Sequence, residues 1–251
     1  MASRRLEVII DGNASSAVRA LGQTSTAVDR FDDRSSRAAG RFSQTWRDGI
    51  SNVGRSIGGL VAGAGLAMFF SSAVTEAEEA ASVMRKTEAV IESTGGVAGV
   101  TADHLEGLAG RLSDIAAVDD EVIQSAGNVM LTFKNIKAEG GIFDAAMESA
   151  LDMSAALDID LQSATMNISK ALNDPIEGLG KLARAGVDFT DQQKDQIAQM
   201  VYFGDTAGAQ RIILEELATQ FGGAAEANAT ASEKMTVAMD NIKESVGTLL
   251  L

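Results

Sequence analysis

Pro175 is the only proline in this 251-residue chain, and its position constrains what can fold around it. It follows a polar break, Asn173-Asp174, where a ring-locked φ and a missing N–H suit a first helical turn. Ile176, Leu179 and Leu182 then recur at helical spacing, and Gly186 closes that short helix. Thr190 with Gln193 three residues on forms a capping box that opens the next helix. Aromatic residues make up only 4% of the chain, alanine is abundant, and the 25 glycines are spread throughout. That mix favours closely approached helices over a β-sandwich, whose strands want β-branched and aromatic residues. The expected class is mainly all-α: a short N-terminal strand, long N-terminal helices with a coiled-coil-like seam, a compact multi-helix bundle, and the start of a C-terminal rod helix.

The pattern divides the chain into five segments. Residues 1–12 hold an apolar run, Leu6–Ile10, ended by Asp11-Gly12, read as a strand and turn. Residues 13–55 read as a basic amphipathic helix, its stripe running through Val18, Leu21, Val28, Phe31, Ala39, Phe42, Trp46 and Val53 and interrupted by Ser25, Asp32 and Ser35. Residues 56–93 join an apolar, glycine-rich segment to a helix, Glu76–Ser93, with Val83, Val90 and Ile91 as its apolar points. Ser56–Thr75 is uncharged for twenty residues, long enough to cross a bilayer. Its Gly59-x-x-x-Gly63 spacing, with Gly54, Gly58 and Gly65 nearby, lets helix backbones approach closely. Packing within a bundle or multimer, delayed membrane contact and a constitutive anchor are all readings of that stretch.

Residues 94–223 read as a compact helical domain entered through a hinge, Thr94–Val100. Thr101 caps a helix carrying Leu105, Leu108, Leu112 and Ile115, and Asp119-Asp120 opens one with Val122, Ile123, Ala126, Val129, Met130 and Phe133 inward. Gly140-Gly141 breaks the chain before Phe143, Met147, Leu151 and Leu157, and Leu161, Ile168 and Leu172 form the next stripe. Ile197, Met200 and Val201 belong to a further helix, and Ile212, Ile213, Leu217 and Phe221 to one starting at Asp205. Short loops between such helices imply a bundle. Residues 224–251 begin a seam, through Ala225, Ala229, Ser232, Met235, Met239, Ile242, Val246 and Leu249, that is still running at Leu251, as if the chain were the front of a longer rod.

Charge is unevenly placed. The net −14 divides into +3 over residues 1–56, where nine arginines face six acids, and −17 over residues 57–251, where twelve Lys/Arg face twenty-nine Asp/Glu. An acidic body of this kind is repelled by phosphate backbones, so specific nucleic-acid binding is not expected. The arginine-rich arm reads as a solvated, salt-bridged face or as a contact for an acidic partner or nucleic acid. Cysteine is absent, which excludes disulfides and thiolate metal sites, and MASRRLEVIIDG lacks the apolar run of a signal peptide.

Catalytic chemistry finds no foothold in these residues. His104 is the only histidine, beside Asp103 in a helix first turn, and a capping or surface role is expected for it. A Ser-His-Asp triad would have to use it, and no nucleophile elbow accompanies it. HExxH, EF-hand and phosphate-loop spacings are missing, Gly58-Gly59…Gly63 lacking the Gly-Lys-Ser/Thr ending. The carboxylate pairs Glu78/Glu79, Asp119/Asp120 and Glu215/Glu216 are adjacent, so on helices they are expected to diverge. Glu92-Ser93 matches the catalytic pair of lytic transglycosylases, but the motif that should come after it is missing. No catalytic, cofactor-binding or metal residue is expected, and the chain is expected not to be an enzyme.

The wording of three stretches carries a resemblance. Ala171–Lys194 (ALNDPIEGLGKLARAGVDFTDQQK), Glu92–Phe133 (ESTGGVAGVTADHLEGLAGRL…AAVDDEVIQSAGNVMLTF) and Gly204–Gly223 (GDTAGAQRIILEELATQFGG) resemble the N-terminal region of phage tail tape measure proteins, particularly those of phages of actinobacteria. The likeness covers roughly residues 85–230. It implies a structural protein built as a helical homo-multimer into the tail tube lumen of the virion, made in the host cytoplasm. Such a protein templates tube polymerisation, sets tail length and leaves ahead of the DNA at ejection. Its implied partners are tail tube, tail tip and baseplate proteins and tail assembly chaperones. A membrane-active pore for genome delivery, using Ser56–Thr75, and a cell-wall hydrolase are the alternatives.

Overall fold

The computed structural model describes residues 64–248. The strand at 1–12, the basic helix at 13–55 and the Gly59–Gly63 spacing lie outside the described residues, as do the last three residues. The chain divides into two compact units, Met1–Leu66 and Ala67–Leu251, and the second carries almost all of the described residues. All of its regular structure among those residues is helical, as the composition implied.

The elements are α1 (Ala64–Ser93), α2 (Ala102–Ala116), α3 (Asp120–Met130), a 3₁₀ turn (Glu139–Gly141), α4 (Ile142–Leu157), α5 (Leu161–Asn173), α6 (Pro175–Arg184), α7 (Asp191–Tyr202), α8 (Thr206–Phe221), α9 (Ala224–Asn228) and α10 (Ala231–Thr248). Helix α4 is the hub and touches α2, α5, α8 and α9. It is accordingly buried round most of its circumference, with Phe143, Ala146, Met147, Ala150 and Met153 fully enclosed. Only a narrow side with Asp144, Glu148 and Ala156 reaches solvent, as suits a helix in the middle of a bundle. Around it the remaining core side chains, Leu105, Ile123, Met130, Ile136, Ile168, Leu172, Leu182, Ile197 and Ile213, form one continuous cluster.

The start signals are where the sequence put them. Thr101, Asp119, Thr190 and Asp205 each accept a backbone N–H as helix N-caps, and Thr190 with Gln193 completes the capping box. Pro175 occupies the first turn of α6 beneath Asp174, which accepts from Ile176 and Glu177 N–H. That corner is bolted from outside. Asn135 Nδ2 donates to Asn173 O at 2.7 Å, and buried Gln210 donates to Leu172 O and Asn135 O, both at 2.8 Å. Gly178 permits the tight crossing of α6 over α5: a Cβ there would run into the Ala171 backbone and lie 2.9 Å from Lys170 O.

Four details differ from expectation. Val122, expected inward, is exposed, as are Ile115 and Ile176 from the apolar spacings of their helices. In α2 the buried residues are Leu105, Leu108, Ala109, Leu112, Ser113 and Ala116. In α3 the inward position next to Ile123 is taken by Gln124, whose amide donates to the buried Thr87 hydroxyl on α1 at 3.0 Å. Met130 ends α3, so Phe133 lies beyond it in a turn. Thr94–Val100, read as a hinge, is a turn anchored at two points, with Gly95, Gly96, Val97 and Gly99 exposed. Gly95, Gly96 and Gly99 have φ of 68°, 65° and 69°, the left-handed region that glycine enters without strain. Ala98 and Val100 are buried, and Ala98 O accepts from Ala138 N–H at 2.8 Å. Finally, the seam from Ala225 to Val246 is not one helix. It breaks at Ala229-Thr230, because Thr230 and Glu233 form a second capping box that restarts the chain as α10.

Candidate functional site

The strongest concentration of unusual chemistry lies where α10 meets α1, α2 and the α2–α3 corner. Asp119 caps α3 by accepting from Glu121 N–H at 3.0 Å and Val122 N–H at 3.3 Å. Two further acids come directly after it, and one oxygen from each of Asp119, Asp120 and Glu121 lies within 4.8 Å of the others. Adjacent acids were expected to diverge; here the N-cap turns Asp119 back over the first turn, so its carboxylate meets that of Glu121 instead of pointing away.

Glu121 shows the consequence. Partial burial, then a hydrogen bond to Asp119 and the charge of Asp120, push its carboxyl from 4.5 up to about 9. It therefore holds a proton at neutral pH and can donate it to Asp119. Glu244 on α10 is pushed up by burial and then by Asp120, Glu106, Asp119 and Glu76. Glu76 on α1 is raised by desolvation and then by Asp240. The cation in this seat is Lys243, committed to Asp240 one turn back. Asp119, Asp120 and Glu121 are hard oxygen donors of the kind calcium or magnesium would take, while the proton on Glu121 already relieves their mutual repulsion.

The other residues weighed from the sequence are dispersed. His104 Nε2 lies 2.7 Å from Asp144 Oδ1 on α4, with Arg111 at 4.0 Å from the other oxygen, an exposed link between α2 and α4. Glu92 is exposed at the end of α1, and the Ser93 hydroxyl donates to Val90 O, so the pair does not converge on a pocket. Glu215 is exposed; Glu216 accepts from Gln193 and Gln220 and ties α8 to α7. No helix among the described residues is long and apolar enough to cross a membrane, and Ser56–Thr75 lies only partly within them.

Two features escaped the sequence reading. Asp152, buried on α4, accepts from Gly223 N–H and Ala225 N–H, each at 3.0 Å, and so caps α9 from about seventy residues away. No local spacing announces a cap of that range. Tyr202 and Phe203, at the α7–α8 corner, are 85% and 80% exposed with ring centroids 5.3 Å apart. They adjoin Gly204 in sequence, where φ is 83°, and two large aromatics ahead of a glycine were a legible sign of a protruding turn.

No protein-family model, no curated protein and no solved structure matches this chain. The fold thus defines its class in its own terms: an all-α bundle built round a buried central helix, carrying a carboxylate-rich seat for its last helix.

Proposed function

We propose that the chain is a phage tail tape measure protein that occupies the tube lumen, templates polymerisation of tail tube subunits and fixes tail length. The observation that carries the reading is the wording of Ala171–Lys194, Glu92–Phe133 and Gly204–Gly223, which resembles that family over roughly residues 85–230. The physical logic is that an α-helix rises 1.5 Å per residue, so residue count converts linearly into distance. An acidic lumen protein also suits the role, since like charge lets DNA pass without adhering. In this reading the protein assembles as a helical multimer with tail tube and tip proteins and has no catalytic step.

The test is a length measurement. In a phage carrying this reading frame, an in-frame insertion of about 60 helix-forming residues after Asn228 lengthens the tail by about 90 Å. Electron microscopy of purified virions reads the change directly. Tails of unaltered length, or virions lacking the chain by mass spectrometry, overturn the proposal.

A further inference from the structure

A shallow cleft lies between the C-terminal turns of α5 and α6 and the end of α4. It offers about 660 Å³ of space open to solvent and is lined by Leu157, Ile159, Ser163, Asn167, Lys170, Lys181, Arg184 and Ala185. Its charge runs against its surroundings. Residues 57–251 hold twelve cations among twenty-nine acids, yet three of those cations line this one cleft and no carboxylate does. Lys170, Lys181 and Arg184 have no acidic partner within 4.0 Å among the described residues, as is also true of most cations there, only Arg111, Lys194 and Lys243 having one; what sets these three apart is that they share one cleft.

Each cation, taken singly, has a structural role, because positive charge at a helix C-terminus complements the helix dipole. Lys170 is in the last turn of α5, and Lys181 and Arg184 are in the last turn of α6. That explains their presence but not their convergence, since three like charges round one concavity repel each other. Arg184 is also partly positioned: its Nε donates to Gly180 O at 3.0 Å, leaving the two terminal amino groups for another acceptor. Of the acids next to the cleft in sequence, Asp160 caps α5 through Ser163 N–H at 2.8 Å, and Asp158 is not among the lining residues.

We infer that this cleft is a binding site for a small organic phosphate: a phosphate monoester held by Lys170, Lys181 and Arg184, with its apolar or planar body against Leu157, Ile159 and Ala185. A guanidinium and two ammonium groups more than neutralise a phosphate dianion and offer donors to each of its three terminal oxygens. Asn167, one turn before Lys170 on the same face of α5, adds an amide for the ligand's polar edge. The cleft owes nothing to the tape measure reading, and an empty cleft would leave that reading intact.

The test is a two-dimensional amide NMR titration of the full chain with adenosine monophosphate, inorganic phosphate and adenosine as probes. Adenosine monophosphate shifts the amides of residues 163–170 and 181–185 in a saturable way, with an affinity in the range of about 0.1–1 mM set by an open, solvent-screened site. Inorganic phosphate shifts the same amides more weakly, and adenosine leaves them in place. Lys181→Ala with Arg184→Ala lowers the affinity on the order of 10-fold while the circular dichroism spectrum is kept, and Lys234→Ala on α10 does not change it. Absence of saturable shifts up to about 10 mM, equal binding by the double variant, equal shifts from adenosine, or binding of a single-stranded oligonucleotide without binding of the mononucleotide would each overturn it.

Discussion

Glu121→Gln is expected to stabilise the protein at neutral pH, and the size of the gain is set by linkage. Burial, Asp119 and Asp120 raise the folded-state carboxyl to about 9, against 4.5 for an unconstrained glutamate. Below pH 4.5 both folded and unfolded chains hold the proton, and the residue does not affect stability. Above it the unfolded chain releases the proton while the folded chain keeps it. Folding is then penalised by about 1.4 kcal/mol per pH unit until the folded carboxyl itself ionises near 9. By pH 7 the accumulated penalty is at most about 3.5 kcal/mol, and screening at a half-buried position reduces it towards about 1 kcal/mol. Glutamine keeps the shape and a donor towards Asp119 but has no proton to lose. The variant and the parent should therefore coincide at pH 4 and diverge as pH rises, the variant being more stable by about 1–3 kcal/mol at pH 7 and unfolding at correspondingly higher urea. The assay is urea unfolding followed by circular dichroism across that pH range, read as the difference between the two proteins. Curves that stay parallel from pH 4 to 8, or a parent that gains on the variant with rising pH, refute the placement of Glu121 among Asp119 and Asp120.

Gly178→Ala should cost about 2–4 kcal/mol in the same assay, because the new methyl meets the Ala171 backbone where α6 crosses α5; a loss no larger than a few tenths would mean that the crossing is looser than described. Asp152→Ala strips the cap from Gly223 and Ala225 N–H, and about 2–3 kcal/mol of stability should go with it, with amide exchange in α9 accelerating first. Gly247→Leu should undock α10, since any side chain there enters the Ala73 carbonyl; amide exchange of α10 rises while that of α4 and α5 stays, and unchanged exchange in α10 would refute the seat.

How far the sequence revealed the fold depends on how far apart in the chain the cause and its effect lie. Caps at Thr101, Asp119, Thr190 and Asp205 were legible because the acceptor and its N–H sit within three residues. The inward faces of α4 and α5 were legible because their stripes are strong. The errors have another source. Val122 read as core from its apolar spacing, but Gln124 takes the inward direction through its bond to Thr87 on α1. The Thr94–Val100 turn looked like a hinge because glycine signals a left-handed backbone, and an anchored left-handed turn needs glycine just as a loose one does. The carboxylate seat was the least legible of all. Its members come from α1, α2, α3 and α10, and sequence spacing alone cannot assemble Glu76, Asp119, Glu121 and Glu244 into one neighbourhood.

That seat sets the energetics of the last helix, which shape holds and charge opposes. Gly247 lets α10 lie directly on the Ala73 and Ala77 face of α1, and Ile242 and Val246 are half-buried there. Against this, Glu244 is brought among Asp120, Glu106, Asp119 and Glu76, and Lys243 is already spent on Asp240. Further up the helix Met235 and Met239 remain uncovered. An element with one buried glycine, two half-buried aliphatics and an adverse field belongs to the low-stability end of local opening. Its attachment should therefore weaken as pH rises through the range where Glu244 and Glu76 ionise, while the α4 core, whose enclosed residues are apolar, holds. In the proposed role this separation has a use. On that proposal, the seam from Met235 to Val246 would leave the bundle and pair with sister helices without unfolding the body that carries it.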